Sequence, residues 1–168
     1  MSLTMYSASA PQFLRVLKNL STIITKASTH AEEHKIDAAA LLHARLYPNM
    51  FPFTRQIQIA CDNAKGATAR LAGIELPKHE DVEQTFAELQ QRIDRVIAFI
   101  ESVPADKFAG SDSRKIVLPL RGTEVTFTGE QYLVSFALPN FYFHVTTAYD
   151  ILRHNGVELG KRDYIGNF

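Results

Sequence analysis

The sequence predicts an all-α fold: a four-helix bundle with a small β-hairpin inserted between the third and fourth helices. Three observations carry this expectation. Apolar residues recur at three- and four-residue spacing through four long segments. Helix start and stop residues bracket those segments. Between the last two, the pattern changes to short β-like runs, SRKIVLPL and TEVTFT, on either side of Arg121-Gly122.

The first helix is expected from Ser9 or Ala10, because Pro11 is tolerated in a first turn where its missing N–H costs little. Phe13, Leu17, Leu20 and Ile24 form its apolar stripe, which ends in the polar run THAEEHK. Asp37 then caps a short helix in DAAALLHARL, broken by Tyr47-Pro48. The second long helix is predicted over Met50 to Leu71. Ile57, Cys61, Ala64, Thr68 and Leu71 set its rhythm, Ala60, Ala64 and Ala67 permit close helix contact, and Gly73 stops it.

The third helix is predicted from about Glu80 to Ser102, with Val82, Phe86, Leu89, Ile93, Val96 or Ile97, and Ile100 inward. In the hairpin, Pro119 confines the first strand to an edge or shortens it, and Val117, Val125 and Phe127 are the expected contacts to the bundle. Thr128 and Gln131 have capping-box spacing, so the fourth helix starts at Gly129 and runs to about Asn155, ahead of Gly156. The tail is expected to pack through Tyr164, Ile165 and Phe168. Residues 1–168 read as one domain, and short links favour simple up-down alternation.

Composition excludes several classes. Lys plus Arg and Asp plus Glu are 18 each, which argues against a broad nucleic-acid surface. Cys61 is the only cysteine, so neither an intrachain disulfide nor a cysteine-rich metal site is available. No apolar run approaches the roughly 18 residues of a membrane span, and the amino end lacks a signal-like core. The expectation is a soluble, reduced, cytoplasmic protein. HExxH, phosphate-binding glycine patterns and the G-x-S-x-G elbow are all absent.

Chemistry concentrates on the fourth helix. Asn140 and His144 stand one turn apart on its apolar face, directly after Pro139. Pro139 deletes the hydrogen bond to Ser135 and is expected to bend the helix there. Burying an unpaired amide or imidazole costs roughly 1–3 kcal/mol, so the pair needs partners. Three readings stay open: a satisfied internal network, a metal-free ligand pocket, and a metal site. Neutral His144 suits a divalent transition metal, whereas Asn140 is a poor ligand.

On the second long helix, Arg55, Gln58 and Asp62 share a polar face. Asp62 is a candidate metal ligand or orienter of His144, against a solvated carboxylate near Arg55 or Lys65. Arg55 is a candidate anion-steering cation, and Gln58 a hydrogen-bonding wall. His43 is expected as a half-buried structural histidine and His154 as a helix-terminal cation. His30, His34 and His79 read as surface, Tyr47 and Tyr142 as aromatic packing, and Cys61 as inert core.

Three blocks carry a resemblance: LYPNMFPFTRQIQIACDNAKGATARLAG, ED-x-E-x-TF-x-EL, and FALPNFYFHVTTAYDILRHNGVELGK. They resemble a bacterial family carried as a domain of unknown function, within the DinB-like or YfiT-like superfamily of metalloenzymes. The likeness runs from about Tyr6 to Phe168. It implies a bundle in up-down-down-up order, often dimeric, with a pocket at one end. The longer crossovers this order needs are available in DAAALLHARL and the hairpin.

Active relatives are metal-dependent thiol transferases or hydrolases of small molecules. Their usual ligands are one histidine from helix two and two histidines four apart on helix four, the second twelve residues before a glycine. His144 and Gly156 match that relation, and Arg153 falls at a commonly basic position. The upstream histidine position is Asn140, and helix two offers Arg55, Gln58 and Asp62 in place of histidine.

Two functions follow as expectations. The first is a small-molecule pocket of a divergent transferase or hydrolase. In it His144 binds nickel, zinc, manganese or iron, or acts as a base, Asn140 positions water or substrate, and a thiol is the first substrate to test. The second is a non-enzymatic ligand-binding or interaction protein, a homodimer with a degenerate metal site.

Overall fold

A computed structural model of the chain describes residues 3–167. Its helices in chain order are α1 (Ala10–Glu33), α2 (Ala38–Leu42), α3 (Phe53–Ala72), α4 (Phe86–Glu101), α5 (Gly129–Tyr132), α6 (Leu138–His154) and α7 (Lys161–Ile165). A π-helical turn, Leu133–Ala137, joins α5 to α6. Strands β1 (Lys115–Leu120) and β2 (Thr123–Thr128) pair antiparallel. The described residues are thus mostly helical with one small two-stranded sheet. α3 packs on both α4 and α6, α1 on α4, and α7 on α1. Among the described residues, no helix is long and apolar enough to cross a membrane.

The α1 stripe of Phe13, Leu17, Leu20 and Ile24 is buried, as its spacing requires. Phe13 meets Phe141 of α6 edge-on at 5.0 Å. Asp37 caps α2 by accepting from the Ala39 N–H at 3.0 Å. Helix α3 begins at Phe53 rather than Met50, because Pro52 holds the N-cap in an extended conformation. Ala60, Ala64 and Ala67 are fully buried where α3 lies between its two neighbours. Gly73 closes α3 at φ +67°, a left-handed cap that L side chains rarely adopt.

Helix α4 starts at Phe86, well after Glu80. Thr85 and Glu88 form a reciprocal capping box there, with the Glu88 N–H donating to Thr85 Oγ1 at 3.2 Å and the Thr85 N–H to Glu88 Oε2 at 3.0 Å. Val82 therefore lies outside the helix and is 63% exposed, not inward. In the hairpin Ile116 pairs with Phe127 and Leu118 with Val125. Ile116 and Leu118 are buried, which turns Val117 outward, opposite to expectation. Strand alternation allows only one parity to face the core. Val125 and Phe127 are half-buried on the expected side.

The Thr128–Gln131 capping box starts the fourth helical segment where the sequence places it. The tail packs through Tyr164, whose ring meets Tyr149 at 6.1 Å and whose hydroxyl accepts from Thr146 Oγ1 at 3.0 Å. Arg15 donates to the Ile165 carbonyl at 3.0 Å. The expected packing of Phe168 lies outside the described residues.

Candidate functional site

The π turn decides where His144 points. It absorbs Pro139, which sits in the first turn of α6, and the Leu138 N–H reaches back to the Leu133 carbonyl. A π turn holds one residue more than an α turn and rotates everything downstream by about one residue's angle. Phe141 and Val145 consequently occupy the middle of the buried face, at 0% and 1% exposure. Asn140 and His144 fall at its edge and are half-buried.

The two do not partner each other. Asn140 Nδ2 donates to the Phe136 carbonyl at 2.8 Å, one turn back. His144 Nδ1 lies 2.7 Å from Oε1 of Gln56, a buried α3 residue. The Gln56 amide is oriented from its other end, because Nε2 donates to the Phe51 carbonyl at 3.0 Å. Gln56 therefore presents an acceptor, so His144 carries its proton on Nδ1 and keeps a lone pair on Nε2. Among the described residues nothing hydrogen-bonds that Nε2. The sequence pattern points to Arg55, Gln58 and Asp62 here; Gln56, hidden on the apolar side of α3, is the side chain of that helix that hydrogen-bonds His144.

Burial, and secondarily the Arg55 guanidinium, push His144 down from 6.5 to about 4. The ring is thus neutral at pH 7. The unfolded chain takes up this proton near pH 6.5 and the folded chain only near 4, so folding stability falls as pH drops through that window. The full shift corresponds to about 3 kcal/mol, and partial solvent access of the ring reduces this to about 1–2 kcal/mol. Denaturation midpoints measured between pH 7 and pH 4 should show that loss in wild type and not in His144→Gln. An NMR titration placing His144 above 6 would contradict it.

Arg55, Gln58 and Asp62 belong to a different constellation, centred on Arg92 of α4. Arg92 is fully buried. It contacts Asp62 at 3.0 Å, Asp81 at 2.8 Å, Glu83 at 3.1 Å and the Glu80 carbonyl at 3.0 Å. Gln58 Nε2 donates to Glu83 Oε2 at 3.0 Å, and Lys65 pairs with Asp62 at 3.1 Å. Arg55 pairs with Asp81 and donates to Gln58 Oε1 at 3.2 Å. These contacts tie the non-helical segment 74–85 to α3 and α4. The polar face of α3 is partly solvated, with Asp62 beside Lys65 as one expectation had it, and its hydrogen bonds and ion pairs run to this segment rather than to His144.

Other expectations change with the tertiary structure. His43 is exposed rather than half-buried, and Tyr47 is 64% exposed rather than packed. His79 is half-buried, not surface; its Nδ1 is buried without a partner among the described residues. Burial, then Lys65 and Arg92, holds it below its ordinary value. Cys61 is buried as expected, and burial pushes its thiol up to about 12, which leaves it unreactive. Among the described residues, no group of three His, Cys, Asp or Glu side chains is placed to hold a metal.

Arg55 and Asp62 border an open cleft of about 290 Å³ between α3, β1 and the α5–π segment. Gln58 does not line it, nor do Asn140 and His144.

Comparison with known proteins agrees with this architecture. A family model described as a domain of unknown function, DUF1993, matches residues 5–165. A crystal structure of a DinB family member protein from Shewanella denitrificans is similar at 46% identity, with a TM-score of 0.90. The match covers 97% of this chain and 92% of that one. No curated protein matches the chain. With the family model spanning nearly the whole fold and a DinB structure aligned across it, the chain belongs to the DUF1993 family and is a DinB-like protein.

Proposed function

We propose that the chain is a non-enzymatic, ligand-binding DinB-like protein whose metal centre has degenerated into an amide–imidazole pair. The Gln56–His144 hydrogen bond carries this reading, since it engages Nδ1 with an amide oxygen. The donors present do not fit a divalent metal. His144 offers one lone pair, both ends of the Gln56 amide are engaged, and Asp62 is held by Arg92 and Lys65. Arg55 adds positive charge beside the ring. Nickel, zinc, manganese and iron each need several nitrogen, sulfur or carboxylate donors. His144 Nε2 then serves as an acceptor for a donor group on a bound small molecule.

A second reading rests on the same lone pair: metal-independent base catalysis by His144 on a small thiol or ester, with Asn140 as orienter. A base held at about 4 is weak at neutral pH, which places binding ahead of catalysis.

The up-down-down-up order is supported by contact pairs. Phe13 meets Phe141 near the starts of α1 and α6, and His30 approaches Gly156 near their ends. Gln56 and Arg70 of α3 meet His144 and Tyr132 in reverse order, while Phe53 meets Phe86 at the starts of α3 and α4. One continuous apolar cluster supports the reading of the chain as a single domain. Exposed Tyr47, Phe51 and Phe143 supply apolar surface for a homodimer. A cytoplasmic location fits the lone buried thiol.

The deciding experiment is elemental analysis of untagged protein, followed by titration with nickel, zinc, manganese and iron. Wild type and His144→Ala should both fail to bind stoichiometrically. Stoichiometric binding by wild type that disappears in His144→Ala would overturn the degenerate centre. Thiol-transfer turnover by metal-free protein, abolished by His144→Gln, would favour the second reading.

A further inference from the structure

The cleft beside α3 contains a cation with no assigned task. Its walls combine apolar Leu118, Leu120 and Phe136 with polar Asn63, Arg70 and Tyr132. Arg70 donates to the Tyr132 hydroxyl at 3.3 Å, and its guanidinium carbon stands 5.9 Å from the Tyr132 ring centre. Among the described residues no carboxylate forms an ion pair with it. The other charges bordering the cleft are committed: Arg55 to Asp81, and Asp62 to Lys65 and Arg92.

Arg70 occupies space that its own helix leaves open. Gly66 lies one turn earlier, buried in the interior of α3, where glycine is the poorest helix former after proline. A Cβ at Gly66 would find its three nearest neighbours outside the helix backbone in the Arg70 guanidinium, the closest, Nη1, at 2.4 Å. The missing side chain thus makes the seat in which Arg70 folds back along α3 toward Tyr132. Tyr132 is itself fixed, 2% exposed and stacked on Phe136 at 5.9 Å.

An arginine held without a carboxylate presents a planar fork of donors that matches a carboxylate group. Among the described residues Arg70 is the one cation bordering the cleft without an ion pair, which calls for a single negative charge. The apolar wall calls for a hydrocarbon or aryl body on the same molecule. We infer that this cleft binds a small monocarboxylate with an aryl or alkyl tail, its carboxylate on Arg70 and its tail against Leu118, Leu120 and Phe136. Asn63 lies on the same helix, two turns before Arg70, as a secondary donor. This site is separate from His144 and does not depend on the ligand-binding reading there.

The test is an NMR titration of the full chain with 4-phenylbutyrate, with neutral 4-phenylbutanol as control. Wild type should show saturable shifts in β1, α3 and α5. Arg70→Gln should weaken binding about tenfold, as expected for losing a charge-assisted pair. Gly66→Ala keeps Arg70 but displaces its guanidinium tip; it should weaken binding by less than Arg70→Gln does while its melting temperature stays at or above wild type. His144→Gln should bind as wild type does. The inference is overturned by an absence of saturable shifts in wild type, or by equal binding of the alcohol. It also fails if Arg70→Gln and Gly66→Ala both bind as wild type, or if His144→Gln abolishes binding.

Discussion

Arg92→Ala should cost about 3–5 kcal/mol of folding free energy, the range for breaking a buried ion pair from one side. Arg92 is fully buried, and its partner Glu83 is only 2% exposed on its side chain. Without the guanidinium, the Glu83 carboxylate keeps, among the described residues, Gln58 at 3.0 Å and the half-exposed Arg95 at 3.4 Å. Burial alone would pull Arg92 down, yet Asp62 and Glu83 outweigh it and hold the guanidinium above its ordinary value. The charge therefore stays on in the folded state.

Asp62 and Asp81 are more than a third exposed on their side chains, so their share of the energy is screened. Most of the loss comes from stranding Glu83. Chemical denaturation of Arg92→Ala, Glu83→Gln and Arg92→Ala/Glu83→Gln checks this. The double variant should lose less than the sum of its parts, because it removes both charges together. Hydrogen exchange across residues 74–85 should accelerate in Arg92→Ala, since that segment has no helix of its own. A loss below about 1 kcal/mol would show that the network contributes order without stability.

Gln56→His combined with Asn140→His should give the chain a zinc site. Gln56 already approaches His144 within hydrogen-bond distance from the neighbouring helix, and Asn140 sits one turn before it on the same helix. The two substitutions surround His144 with the nitrogen donors its neighbours lack. At zinc concentrations about 100-fold above the dissociation constant, the folded state should gain about 2.7 kcal/mol. Thermal unfolding with and without zinc reads this directly. Wild type should show no shift, and adding His144→Ala to the double variant should remove the gain. If the double variant is indifferent to zinc, Gln56 and Asn140 do not occupy ligand positions.

The candidate site was only half legible. His144 and Asn140 were readable because polar residues on an apolar stripe violate the local pattern. Gln56 was not, since it sits beside Phe53 and Ile57 in a run that reads as core, and only its partner across the bundle explains it. Arg92 was invisible for a related reason. In QTFAELQQRIDR it looks like one more charge on a solvated face. It is buried because residues 74–85 fold back over it, supplying Asp81, Glu83 and the Glu80 carbonyl.

By itself the amino-acid sequence determined what depends on neighbours a few positions apart: the helical stripes, the capping box at Thr128 and the cap at Asp37, the stop at Gly73, and the hairpin turn at Arg121-Gly122. These follow from period and backbone preference, which act locally. Tertiary structure alone decided the parity of β1, the π turn that turns His144 to the edge of the core, and the burial of Arg92. Each of those is set by which distant surface is available to pack against, and no short window of sequence contains that surface.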